Sequence, residues 1–135
     1  MILRNIDMEE NQEILFKLSM FEQQMRQLQQ QLQAVEQGIV ELNTLSIDLN
    51  ELEKGEGKEI FASIGRGIFT KAKILSNELT VDIGEKNFVK KSVPETQRII
   101  NKQVEKLKNA KEELNRSLEE LNKEAEKIIA KGQKD

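Results

Sequence analysis

The residues with a claim to chemistry in this chain are two glycine pairs, several acid pairs and a group of lysines. Gly55-Glu-Gly57 and Gly65-Arg-Gly67 could turn a backbone around a phosphate, but no Gly-Lys-Ser/Thr follows either, so no phosphate loop is expected. Glu112-Glu113 and Glu119-Glu120 are adjacent on a helical stretch, where neighbours point about 100° apart and cannot converge on one substrate. Lys71, Lys73, Lys86, Lys90 and Lys91 make the middle of the chain mildly basic. Only Phe69 and Phe88 lie near them for base stacking, so a solvated sheet face is the better reading than a nucleic-acid patch. With no Cys and no His, thiol catalysis, disulfides, imidazole acid–base chemistry and the usual zinc sites are excluded. We therefore expect no catalytic residue, no metal and no cofactor.

Composition points to the elements that position these residues. The 135 residues are 33% charged, 37% hydrophobic and only 4% aromatic, with one Pro and a net charge of -3. That profile suits long helices better than a compact core, and its sign argues against a dedicated nucleic-acid binder. Met1–Asp7 holds no apolar core long enough for a signal peptide, and no stretch approaches a membrane span, so neither is expected. Lack of cysteine fits a cytosolic chain without fixing the compartment.

Five of the seven glycines (Gly55, Gly57, Gly65, Gly67, Gly84) fall in residues 55–92 and divide the chain into three parts. In the first, Leu18, Met25, Leu32 and Ile39 stand seven apart, and Phe21, Leu28, Val35, Leu42 and Leu49 form a second series between them. This a/d seam predicts a coiled-coil helix over 8–53, reaching back to Ile14. The series Leu42, Leu45, Leu49, Leu52 has one three-residue step too many and predicts a stammer. Gly38 reads as a tolerated defect on the outer face, costing about 1 kcal/mol relative to Ala. In the third part, Ser92-Val93-Pro94-Glu95 is a helix-start signature, with Ser92 as N-cap. Ile100, Leu107, Leu114, Leu121 and Ile128 recur by seven, and Val104, Leu118 and Ala125 fill the alternate sites. These predict a second helix over 93–132, interrupted at the seam by Lys111. The two seams are equal in extent, each roughly 57 Å at 1.5 Å per residue. They should pack antiparallel, with Leu52 near Val93 and Ile14 near Ile128.

Between them the periodicity changes from helical to alternating. Strands are expected near 59–64, 68–75, 79–83 and 87–91, turning at Gly65-Arg-Gly67 and at Gly84-Glu-Lys-Asn87. The fold class is thus α+β: a long antiparallel two-helix coiled coil with two β-hairpins, four short strands, between the helices. Isolated hairpins are marginal in water and leave open edges. The hairpins should therefore pair with strands of other chains through Ile60, Phe61, Ile64, Gly65, Gly67, Ile68, Phe69, Ile74, Leu79, Val81, Ile83, Gly84, Phe88 and Val89.

At the other end, the antiparallel pairing leaves Ile2, Leu3 and Ile6 without partners on the second helix, where they could capture apolar segments. Met8 and Ile129 add to that candidate tip, Ile14 and Ile128 close the seam beneath it, and Asp7, Glu9, Glu10 and Glu13 keep it hydrated. A frayed tail without a role is the competing reading.

Two blocks resemble a known family. Ala62-Ser-Ile-Gly-Arg-Gly-Ile-Phe-Thr-Lys-Ala-Lys73 is similar to the first hairpin of alpha-class prefoldins, roughly Pro-Leu-Gly-x-Gly-x-Phe-x-Lys-Ala/Gly. Val81-Asp-Ile-Gly-Glu-Lys-Asn-Phe-Val-Lys-Lys-Ser92 is similar to the Val-x-Val-Gly-x-x-x-x-Val-Glu-Lys-Ser/Thr that leads into that family's second helix. Ser63 stands where the family often has Pro, and Lys90 where it often has an acid. Two hairpins suit the alpha class, since the beta class has one. The resemblance implies one module over 1–135 with residues 55–92 as its oligomerisation platform. It further implies an ATP-independent chaperone, not an enzyme, in the cytoplasm of an archaeon or eukaryote. Its partners would be beta-class subunits in a hexamer of two alpha and four beta, non-native polypeptide clients, and a group II chaperonin, with no nucleic acid and no membrane. The alternative is a scaffold or filament subunit of a prefoldin-like assembly that binds no client.

Overall fold

The computed structural model describes residues 2–134, with side-chain surroundings over 8–132. The elements run α1 (Ile2–Glu53), β1 (Glu59–Gly65), β2 (Ile68–Lys73), β3 (Leu79–Asp82), β4 (Phe88–Lys91) and α2 (Val93–Lys134). They form two compact units, one of residues 38–106 and one of residues 1–37 with 107–135.

In the 38–106 unit the core is small. Leu49 of α1 and Val93, Ile100 and Val104 of α2 are buried, and Ile39, Leu42, Leu52 and Leu79 pack against them. Val93 is the most enclosed, at 1% exposure. It enters α2 directly behind the cap: the Glu95 amide donates to Ser92 Oγ at 3.2 Å, and Thr96 Oγ1 donates to the Ser92 carbonyl at 2.8 Å. The predicted N-cap is therefore formed. Gln97, one turn on, crosses to α1, its Nε2 donating to the Ser46 carbonyl at 2.9 Å and to Asn50 Oδ1 at 2.7 Å.

This clamp shifts the expected stammer. Leu45 is 46% exposed, and the half-buried residue at that level is Ser46. The seam steps 35, 39, 42, 46, 49 in fours and threes, and the extra three-residue step comes at its end, from Leu49 to the half-buried Leu52. A small polar residue holds the place where an apolar one was sought, because it gives Gln97 access to the α1 backbone. Gly38 also differs from expectation: it is half-buried beside Ile39, not on the outer face.

Two separate antiparallel hairpins follow α1, β1 with β2 and β3 with β4. In the first, Glu59 pairs Lys73, Phe61 pairs Lys71 and Ser63 pairs Phe69, and the register slips between Ser63 and Gly65 as a bulge. Arg66 and Gly67 form the two-residue turn, both at positive φ (49° and 77°). That is the mirror-image turn whose twist matches the flanking strands. In the second, Leu79 pairs Lys91, Val81 pairs Val89 and Asp82 pairs Phe88. Its turn places two non-glycine residues, Glu85 and Lys86, at φ 51° and 62°. The Asn87 amide closes it on the Gly84 carbonyl at 2.9 Å. β2 ends at Lys73, but Ile74 continues the ladder, its amide donating to the Lys58 carbonyl and its carbonyl accepting from the Gly57 amide.

In the other unit α1 and α2 pack antiparallel along the predicted seam. Ile14, Leu18, Phe21, Met25, Leu28, Leu32 and Val35 are half-buried, as are Leu107, Leu114, Leu118, Leu121, Ala125 and Ile128. The Lys111 interruption is met across the seam by Glu36, with Nζ and Oε1 3.6 Å apart. Gly132 lies against Ile14, whose Cδ1 would sit 3.4 Å from a Cβ built there.

Candidate functional site

The hairpins expose what an ordinary domain would bury. On β1–β2 the cross-strand partners Phe61, Lys71, Ser63 and Phe69 share one face, and Ile60, Ala72, Ala62 and Thr70 share the other. Phe61 is 71% exposed, and Ile60, Ile64, Ile68 and Phe69 are exposed with it. On β3–β4 the alternation is clean. Leu79, Val81 and Val89 are half-buried on the face toward the core, while Phe88 is exposed on the other with Thr80, Asp82 and Lys90. Ile74 is half-buried and Ile83 exposed. Gly65, Gly67 and Gly84 all take positive φ at the turns. Each strand has one edge without a strand neighbour. The Lys90–Glu78 ion pair at 3.8 Å is too exposed to add more than a fraction of 1 kcal/mol.

Open edges and exposed apolar side chains are what association can cover, with edges gaining backbone hydrogen bonds and apolar groups leaving water.

Of the candidate tip, Met8 and Ile129 are exposed and Ile14 and Ile128 are half-buried. The side chains of Ile2, Leu3 and Ile6 lie outside the described residues. Ile14 and Ile128 share a shallow groove of about 250 Å³ with Glu10, Glu13, Lys17 and Lys131. Sequence reasoning traced the seam and so passed over Leu15 and Phe16, which are exposed on α1 with Met8 and Met20. The signal was present: Leu15 and Phe16 are large apolar residues out of phase with the seam. Leu75, expected at the end of the second strand, lies between the hairpins and is 81% exposed.

Among the described residues no group of His, Cys, Asp or Glu could hold a metal ion, and no helix is long and apolar enough to cross a membrane. A solvent-open groove of about 530 Å³ beside the end of α1 mixes Asp48, Glu51 and Glu59 with Lys54 and Lys58 and gathers no convergent set.

Comparison with known proteins gives consistent results. The family model described as prefoldin subunit matches residues 21–135. Over 99 residues the chain is 30% identical to prefoldin subunit alpha of Methanobrevibacter smithii, a match taking in 73% of this chain and 68% of that protein. The fold is similar to a chain of filamentous PFD from Methanocaldococcus jannaschii, solved by cryo-EM. That similarity has TM-score 0.76 at 20% identity, covering 89% of this chain and 98% of that one.

Proposed function

Because the chain belongs to the prefoldin family, a family of chaperone subunits that assemble with one another, we propose that it is an alpha-class subunit of an ATP-independent holdase. Residues 1–135 act as one module. The hairpins over 55–92 dock beta-class subunits, two alpha with four beta, using Ile60, Phe61, Ile64, Ile68, Phe69 and Phe88 as the apolar contacts. The helix end bearing both termini captures non-native polypeptides in the cytoplasm and passes them to a group II chaperonin. The observation that carries this reading is the exposed apolar surface at the hairpins, which has no use in a lone chain.

Capture at the helix end uses Ile2, Leu3, Ile6, Met8 and Ile129, with Ile14 and Ile128 beneath. Each side chain buried on a client contributes about 1.5–3 kcal/mol at most. One end alone binds weakly, and several on one frame bind the same unfolded chain with high avidity. The test is suppression of aggregation of a denatured protein by the assembled oligomer, without nucleotide. Removal of residues 1–8 should weaken protection while native mass measurement still finds the oligomer. Unchanged protection after that removal would sink the tip assignment.

A second reading, a scaffold or filament subunit without client binding, is favoured by the similarity to a filamentous prefoldin. Electron microscopy separates the two. Filaments from this chain alone that fail to suppress aggregation favour the scaffold; discrete particles formed with a beta-class partner that do suppress it favour the holdase.

A further inference from the structure

In the unit of residues 1–37 and 107–135 the two helices turn different chemistry outward. Behind its seam α2 is almost wholly charged: Glu112, Glu113, Arg116, Glu119, Glu120 and Lys123 are all exposed. On α1, Gln23, Gln27, Gln30, Gln33 and Ala34 are exposed on the side away from the half-buried Leu28, Leu32 and Val35. Eight of the fifteen residues from Gln23 to Gln37 are glutamine, and only Arg26 and Glu36 are charged. Both charges are held within the chain, Arg26 by Glu22 at 2.7 Å and Glu36 by Lys111 at 3.6 Å. In a chain that is 33% charged, this stretch has no free charge to keep another molecule away. Its shape suits a helix. Gln30, Gln33, Ala34 and Gln37 line an open hollow of about 420 Å³, and all four belong to α1. They stand at i, i+3, i+4 and i+7, the four positions that form the hole for an incoming side chain in coiled-coil packing.

We propose that this glutamine face is the surface through which two copies of the chain pair laterally, α1 against α1. The amide of glutamine both donates and accepts, so a glutamine face satisfies its own copy. A charged face such as that of α2 would give up water without gaining a counter-charge. An apolar face would leave covered amides unpaired. A twofold pair brings the same patch from each copy and so requires a self-complementary one. The pairing lies beyond the holdase reading and needs no client.

The chain has no cysteine, so single cysteines report the contact. Q30C and, as control on the outer side of α2, E120C are made in the full-length chain and treated with a thiol crosslinker spanning about 10 Å, two turns of helix. Q30C should link pairs of copies about tenfold faster than E120C, at low and high salt alike, since no ion pair is involved. Adding Q27K/Q33K or Q27E/Q33E to Q30C should each slow the linking about tenfold, because like charges then meet across the pair. Gln, Lys and Glu are similar helix formers, so helix content stays unchanged. Mixing the lysine and glutamate variants should restore the linking. Equal linking through positions 30 and 120 overturns the proposal, as does a rate that Q27K/Q33K leaves unchanged. In the oligomer assembled with a beta-class subunit, linking of Q30C to that subunit's thiols alone gives the face another occupant and overturns the pairing of copies.

Discussion

Gly55 shows how a single atom can fix the junction between helix and hairpin. It is buried, and its φ is not in the left-handed region, so conformational freedom is not what requires glycine there. Space is: a Cβ would sit 2.8 Å from the Glu51 carbonyl oxygen and 3.2 Å from Ile74 Cδ1. The backbone oxygen cannot retreat without disturbing the last turn of α1. Gly55→Ala should therefore destabilise the fold by about 1–3 kcal/mol, seen as a lower urea midpoint. Glu85 and Lys86 present the reverse case. Both occupy left-handed backbone that costs an L side chain about 1–2 kcal/mol. Replacing them with Asn-Gly, the pair this turn prefers, should raise the unfolding midpoint by the equivalent of about 1 kcal/mol. No rise would mean that neighbouring contacts already offset the strain.

The elements themselves were largely legible from spacing. Seven-residue recurrence placed both helices, alternation placed four strands, and Ser92-Val93-Pro94-Glu95 placed the start of α2 within a residue. What spacing could not show was polar structure inside the seam. Ser46 and Gln97 look like surface residues in a sequence, and only their mutual position makes them a clamp between the helices. The same holds for Glu36, which nothing in the sequence assigns to Lys111. For the candidate site, the strands that carry the hairpin residues were legible because alternation and glycine turns mark them. Leu15 and Phe16 were not, because a search for one seam discards apolar residues that fall outside it. The Glu36–Lys111 pair is a testable case at this scale. Both side chains are nearly half exposed, so the pair contributes at most about 1 kcal/mol. Lys111→Leu should raise the midpoint of thermal or urea unfolding by about 1 kcal/mol, since the site faces the seam and would bury apolar surface. A lower midpoint would show that the ion pair, not apolar burial, governs this level.

For the whole molecule, stability and assembly draw on different residues. The buried set Leu49, Val93, Ile100 and Val104 lies where the helices meet, whereas Phe61 is 71% exposed. Phe61→Glu should leave the helix content and unfolding midpoint of the lone chain within about 0.5 kcal/mol. It should nonetheless shift native mass spectra of the mixture with a beta-class partner toward free subunits. A variant that assembles as the wild type does would remove this side chain from the proposed contact. The bulge between Ser63 and Gly65 bears on what such an edge permits. An extra residue there steepens the twist and bends β1 as it nears the turn. Flat strands stack on identical copies without limit, which is how cross-β fibres grow. A bent strand offers only a short straight run for pairing, so the irregularity disfavours endless stacking of this edge on its own copies while a partner has yet to cover it.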